Sequence, residues 1–134
     1  MATRGTVFEA PVDGIPDWGT SYTDLSATEV YSPSVDANGY NGINFEIRCL
    51  GDSSKSDDII IRVYAHLSDD FDDAADDNDV PIYEQRATVI AAEEIFVTIT
   101  VRDVEFARIG IVQTAGTDTH TAATRSSRFR DTDN

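Results

Sequence analysis

The chain has one cysteine, Cys49, and one lysine, Lys55. A lone cysteine excludes an internal disulfide and any zinc site built from several thiolates. Cys49 falls on the apolar face of an alternating run, where a thiol serves as a small hydrophobe. No apolar run approaches the roughly 18 residues of a membrane-spanning helix. The opening MATRGTVFEAPVDG lacks the apolar stretch of a secretion signal, so the expectation is a protein made in a cytoplasm and not exported by a standard route. The short motifs of catalysis and nucleotide binding are missing too. There is no G-x-S-x-G elbow, no H-E-x-x-H helix, no phosphate loop and no G-x-G-x-x-G turn. His66 and His120 have no partner spacing and read as surface polar residues. No enzyme and no cofactor is expected.

What the chain does have is negative charge. It carries 25 acids against 10 bases, a net charge of −15, and 18 of the acids are Asp while nine of the bases are Arg. Such a balance repels the phosphates of nucleic acid and the anionic surface of a membrane, so neither is an expected partner. An acidic surface keeps a protein soluble. At this density it also pushes the fold apart in dilute buffer, whereas at about 1 M salt a Debye length of roughly 3 Å removes most of the repulsion. Aspartate excess with almost no lysine resembles the proteins of salt-loving archaea and their viruses.

Hydrophobic residues recur with period two. Ile43, Phe45, Ile47 and Cys49 alternate with polar residues over 43–50, and Ile59, Ile61, Val63, Ala65 and Leu67 do so over 58–67. Tyr83, Gln85, Ala87 and Val89 share one face of 82–90, and Ile95, Val97, Ile99 and Val101 share one face of 94–102. A further apolar run covers 106–114, and a polar return run covers 119–129. A weaker pattern over 25–32 places Leu25, Ala27, Glu29 and Tyr31 together. Period two in β-branched residues is the mark of half-buried strands. Turn signals about every 8–12 residues, including Asn38-Gly39 and Asn41-Gly42, argue for an all-β antiparallel sandwich or jelly roll. The runs 43–50 and 58–67 read as a hairpin, and the three runs from 94 to 129 read as a meander. The expected core is Phe45, Ile47, Cys49, Ile59, Ile61, Val63, Ile95, Val97, Ile99, Val101, Ile109 and Ile111. The 134 residues fit one domain: an irregular N-terminal arm over 1–22 with an extended piece at 6–8, the sandwich over 23–130, and a tail over 131–134.

Two charge features could carry function. Residues 68–79 hold seven Asp. Carboxylates suit calcium or magnesium, and Asp69, Asp72, Asp76 and Asp79 are the residues such an ion would use. The loop lacks the spacing and the glycine of a calcium loop, so no tight metal site is expected there. Against this, residues 107–130 hold Arg108, Arg125, Arg128 and Arg130 with the single acid Asp118. Arginine forks bind carboxylates in pairs, so this positive island suits an acidic partner. Val7, Phe8 and Trp18 of the arm would supply apolar contact to the same partner.

The run Glu105-Phe-Ala-Arg-Ile-Gly-Ile-Val-Gln-Thr-Ala-Gly-Thr-Asp-Thr119, with its return Thr121-Ala-Ala-Thr-Arg-Ser-Ser-Arg-Phe-Arg130, resembles the C-terminal hairpin of small β-sandwich virion proteins of tailed viruses. The resemblance rests on Phe106, Arg108, Gly110, Gly116, Thr117, Asp118, Arg128, Phe129 and Arg130. It implies a decoration or cement protein that sits in many copies, commonly as trimers, on the shell of the major capsid protein. Tail, turret and connector proteins of the same virions are the alternative location. A rival of another class is a cation-dependent carbohydrate-binding sandwich, with Tyr22, Tyr31 or Tyr40 stacking on a sugar.

Overall fold

The computed structural model describes residues 4–9, 12–13, 22–52, 55–67, 81–114 and 119–133, with side chains for all of these except 4–7, 12–13 and 132–133. The described residues form eleven strands and no helix: β1 (Arg4–Phe8), β2 (Val12–Asp13), β3 (Thr23–Asp24), β4 (Val30–Tyr31), β5 (Val35–Asp36), β6 (Gly42–Leu50), β7 (Asp57–His66), β8 (Pro81–Val89), β9 (Glu94–Arg102), β10 (Phe106–Gln113) and β11 (Thr121–Asp133). They build two antiparallel sheets. The larger runs β1-β11-β6-β9, and the smaller runs β4-β10-β7-β8, with β5 also on β10. One flank of β11 takes β1, β2 and β3 in succession, and its other flank takes β6. The expected all-β sandwich is the observed fold.

The core lies where the alternation places it. Ten of the twelve expected core residues are buried, and Ile95 and Val97 pack against them half-buried. Ile43, Val89, Ala107 and Phe129 are also buried. Each large apolar side chain so buried contributes roughly 1.5–3 kcal/mol before conformational entropy is set against it.

The connections differ from the expected ones. β6 and β7 are not a hairpin, because they lie in opposite sheets. The strands β9, β10 and β11 are not a meander either: they alternate larger, smaller, larger. Among the long strands only β7 and β8 are both consecutive and paired. Alternation specifies which face of a strand is buried, and that is satisfied equally by a neighbour in the same sheet or by crossing to the other. The crossing from β9 to β10 turns at Asp103, whose φ of 59° is left-handed.

The chain ends also differ. Within the expected arm, β1 is an edge strand paired with β11 from Arg4↔Asp133 to Phe8↔Phe129. The expected tail begins inside β11, which continues to Asp133. Over 25–32 only Val30–Tyr31 is a strand. Leu25 is buried outside any strand and Ala27 is exposed. His120, expected on the surface, is fully buried. It accepts the Asp52 backbone N–H at Nδ1 (2.9 Å), so the ring proton sits on Nε2 and is donated to Asp57 Oδ2 (2.9 Å). With both nitrogens engaged and no solvent access, the ring is a structural tie between the start of β11 and the start of β7.

Candidate functional site

The outer face of the larger sheet is set by β6. Its Ile43, Phe45, Ile47 and Cys49 point inward, so Asn44, Glu46 and Arg48 point outward, and pairing lines them up with β11 and β9. Three rows result: Ser127–Asn44–Thr100, Arg125–Glu46–Thr98 and Ala123–Arg48–Phe96. In the first, the Thr100 hydroxyl donates to Asn44 Oδ1 (2.9 Å). In the second, Arg125 Nε donates to Glu46 Oε2. In the third, Arg48 donates to Glu94 (2.6 Å), with its guanidinium 5.4 Å from the Phe96 ring centre and 5.9 Å from that of Tyr22. A cleft of about 260 Å³ is lined by Glu46, Phe96, Thr98 and Arg125 above Ile47 and Val97. At the far end of the face Phe8 packs tilted against Phe129 (5.4 Å between ring centres), and Arg102 lies over the same ring (4.9 Å) while donating to Asp131 (2.7 Å). Phe8 and Phe96 remain 54% and 64% exposed.

The four arginines of the expected island do not gather at one place, although Arg128 and Arg130 share the Tyr40 ring. Arg108 is on β10 in the smaller sheet, and the other three are on β11 in the larger. Arg108 is 2% exposed, its guanidinium 4.0 Å from the Tyr31 ring centre, and so is not a surface cation. Arg128 is a clamp. Its Nε and Nη2 hold both oxygens of Glu9 (2.6 and 2.7 Å), and its Nη1 donates to the Asp36 carbonyl (2.9 Å). That side-chain pairing holds the Glu9 carboxyl below its ordinary range, against a smaller upward push from burial. Arg130 donates to the Gly39 carbonyl (2.9 Å), and the guanidiniums of Arg128 and Arg130 lie 4.2 and 4.3 Å from the Tyr40 ring centre. Of these four, Arg125 alone reaches the face that carries Phe8 and Phe96, where Arg48 and Arg102 also lie. The side chain of Val7, Trp18, and Asp69, Asp72, Asp76 and Asp79 lie outside the described residues.

The outer face of the smaller sheet is closed by its own cluster. Glu29 accepts from Arg62 Nη1 (2.8 Å) and from the Tyr64 hydroxyl (2.7 Å), and Tyr31 meets Tyr64 edge-on. Burial, and then that bond to Glu29, push the Tyr64 hydroxyl well above its ordinary range. Gly110 makes the arrangement possible, since a Cβ there would stand 2.0 Å from Glu29 Oε2. Tyr22, Tyr31 and Tyr40 thus sit in three separate places, each beside an arginine, and do not form one stacking platform.

Sequence reasoning passed over Phe96 and Glu46. Their signal was available: both fall on the polar side of an alternating run, and a large aromatic on that side has no core to enter. Among the described residues no three His, Cys, Asp or Glu side chains converge as a metal site.

No protein-family model and no curated protein sequence matches this chain. Solved structures do match its shape. A domain of tripeptidyl peptidase 2 aligns with a TM-score of 0.56 at 10% identity, covering 89% of this chain and 10% of that one. A CBM4 structure aligns at 0.49 and 12% identity, covering 83% and 81%. A subunit of the disulfide-linked pili of Bacillus endospore appendages aligns at 0.45 and 12% identity, covering 97% and 90%. The chain spans about a tenth of the peptidase, and what they share is the β-sandwich.

Proposed function

We propose that this chain is a non-enzymatic structural subunit, carried in many copies on a virion, where it docks as a decoration or cement protein on the shell of the major capsid protein. The outer face of the larger sheet carries the proposal. In a chain of net charge −15, that face presents two exposed phenylalanines, Phe8 and Phe96, with Arg125 on the same surface. Aromatic residues and arginine are the residues enriched in protein interfaces. The acidic composition fits a tailed virus whose host lives in brine. There the long-range part of the attraction is screened, and short paired bonds from arginine to carboxylate persist. A tail, turret or connector position would use the same face.

The cleft supports a second reading. Phe96 stands beside Glu46, Thr98 and Arg125, an aromatic edge with polar groups around it, as a sugar ring requires.

Fractionation separates the two. In virus particles banded from source cultures, mass spectrometry should find many copies of this chain per particle, and glycan arrays should show no binding. Replacing Phe8 and Arg125 with Ser should preserve the fold, since an exposed pair such as Arg125–Glu46 contributes only about 0–1 kcal/mol, and should lower particle occupancy. A chain absent from every particle band, or a variant that loads to wild-type occupancy, overturns the proposed docking. Glycan binding lost with Phe96→Ser would establish the second reading.

A further inference from the structure

Among the described residues the sheets end in two edge strands, β9 of the larger and β8 of the smaller, joined by residues 90–93. An open edge offers unpaired backbone groups to any other strand, and proteins ordinarily guard it with charge, proline or a bulge. β8 is guarded in this way. It begins with Pro81, exposes Glu84 and Arg86, and its pairing slips at a bulge by Val63 and Tyr64. β9 is not. Residues 95–101 read IFVTITV, seven residues with high strand propensity and no charge, proline or glycine. Among the described residues β9 pairs only with β6.

We propose that β9 is the interface of a symmetric dimer, in which the β9 strands of two copies pair antiparallel about a two-fold axis at Thr98 and join the two larger sheets into one. Self-complementarity selects this partner and this register. Centring on Thr98 places Thr98 opposite itself, Val97 opposite Ile99, Phe96 opposite Thr100, Ile95 opposite Val101, and Glu94 opposite Arg102. All nine residues of β9 find a partner, inward residues meet inward ones, and the only two charges meet their opposites. A slip of two residues loses both charge pairs. Glu94 and Arg102 have partners within the protomer but keep 36% and 50% of their side-chain surface exposed. Left-handed residues bracket the strand, Ala92 (φ 59°) before it and Asp103 (φ 59°) after it, and turn the chain off the edge at both ends. The pairing uses the backbone edge of β9, whose Phe96 and Thr98 also border the docking face, and it does not depend on a virion.

Cross-linking of the full chain tests it. Opposed residues in an antiparallel pair have Cα atoms about 4.5–5.5 Å apart, within the span of a disulfide. Thr98→Cys should therefore give a near-complete disulfide dimer, the two thiols passing two electrons and two protons to oxidised glutathione. Thr100→Cys should not, because its two copies would lie about 13 Å apart along the strands. Cys49 does not compete: it is buried, and burial pushes its thiol up to about 12. By sedimentation equilibrium the wild-type chain should be a reversible dimer, tighter in 2 M than in 0.1 M NaCl because two acidic copies repel. Thr98→Lys should weaken it by about tenfold or more, through like charges set side by side at the axis. Glu94→Arg and Arg102→Glu should each weaken it, and the double reversal should restore it. A wild-type monomer in both salts, equal cross-linking at positions 98 and 100, or an oligomer indifferent to Thr98→Lys overturns the proposal.

Discussion

Gly42, Gly51 and Gly110 occupy positions where a methyl group has no room, and Gly110 and Gly42 differ in what gives way. At Gly110 the obstacle is the Glu29 carboxylate, the free end of a flexible side chain, with the Tyr64 ring next at 2.9 Å. Gly110→Ala should displace Glu29 from Arg62 and Tyr64 and cost about 1–3 kcal/mol, the usual result of losing a partly buried polar partner. Chemical denaturation checks this, and in a Glu29→Ala background most of the cost should vanish, since the displaced group is no longer there. At Gly42 the obstacles are the Val101 backbone carbonyl (2.2 Å) and the Phe129 ring (2.6 Å), neither of which can swing aside, so Gly42→Ala should cost more. Glu9 gives the clearest dependence on pH. Its folded-state pKa lies below the ordinary 4.5, because Arg128 bonds the ionised form. The stabilisation is therefore present above about pH 4.5 and is lost as pH falls through the lower, folded value. The melting-temperature gap between wild type and Glu9→Gln should be constant near neutrality and close in acid. A gap that persists in acid would show that Glu9 acts by shape and not by charge.

At the scale of the strand, alternation reports on burial and is silent about neighbours. Ile59, Ile61 and Val63 announce a strand with one face in the core, and the structure buries all three. Nothing in that pattern says that β6 and β7 belong to different layers, because a hairpin and a crossing bury the same residues. The candidate site was legible to the same extent. Phe8 and Arg125 could be picked out by residue type, and the structure puts both on one face. Arg108 looked equivalent to Arg125, and what separates them is which sheet each strand joins, a property of the whole chain. Arg128 looked like a free cation because its partner Glu9 is 119 residues away in sequence. Only the pairing of β1 with β11 brings the two together.

The whole molecule carries a net charge of −15 on 134 residues, and its folded state gathers that charge onto one small surface. Screening should therefore stabilise it. The melting temperature should rise steadily between about 0.1 M and 2 M salt, and KCl should serve nearly as well as NaCl, because ionic strength is the cause and no particular ion is required. Differential scanning calorimetry in the two salts checks this. A flat profile would remove adaptation to brine from the account, and a response to one cation alone would point to a bound ion.

The place of β11 in the larger sheet has a consequence for how the protein comes into being. It comes last in chain order among the described strands, yet it lies inside the sheet, with β6 on one flank and β1, β2 and β3 on the other. While a ribosome is still adding residues 121–133, β6 can hold β9 but has nothing on its other side, and β1 has nowhere to go. Folding of the larger sheet cannot run in step with synthesis. It waits until translation has passed Asp133 and then closes at once across the longest separations in the chain, which is the slow and aggregation-exposed way to build a sheet. During that interval the nascent chain displays the bare flank of β6 and the uncharged run of β9 together, and the arrival of β11 is what covers the first of them.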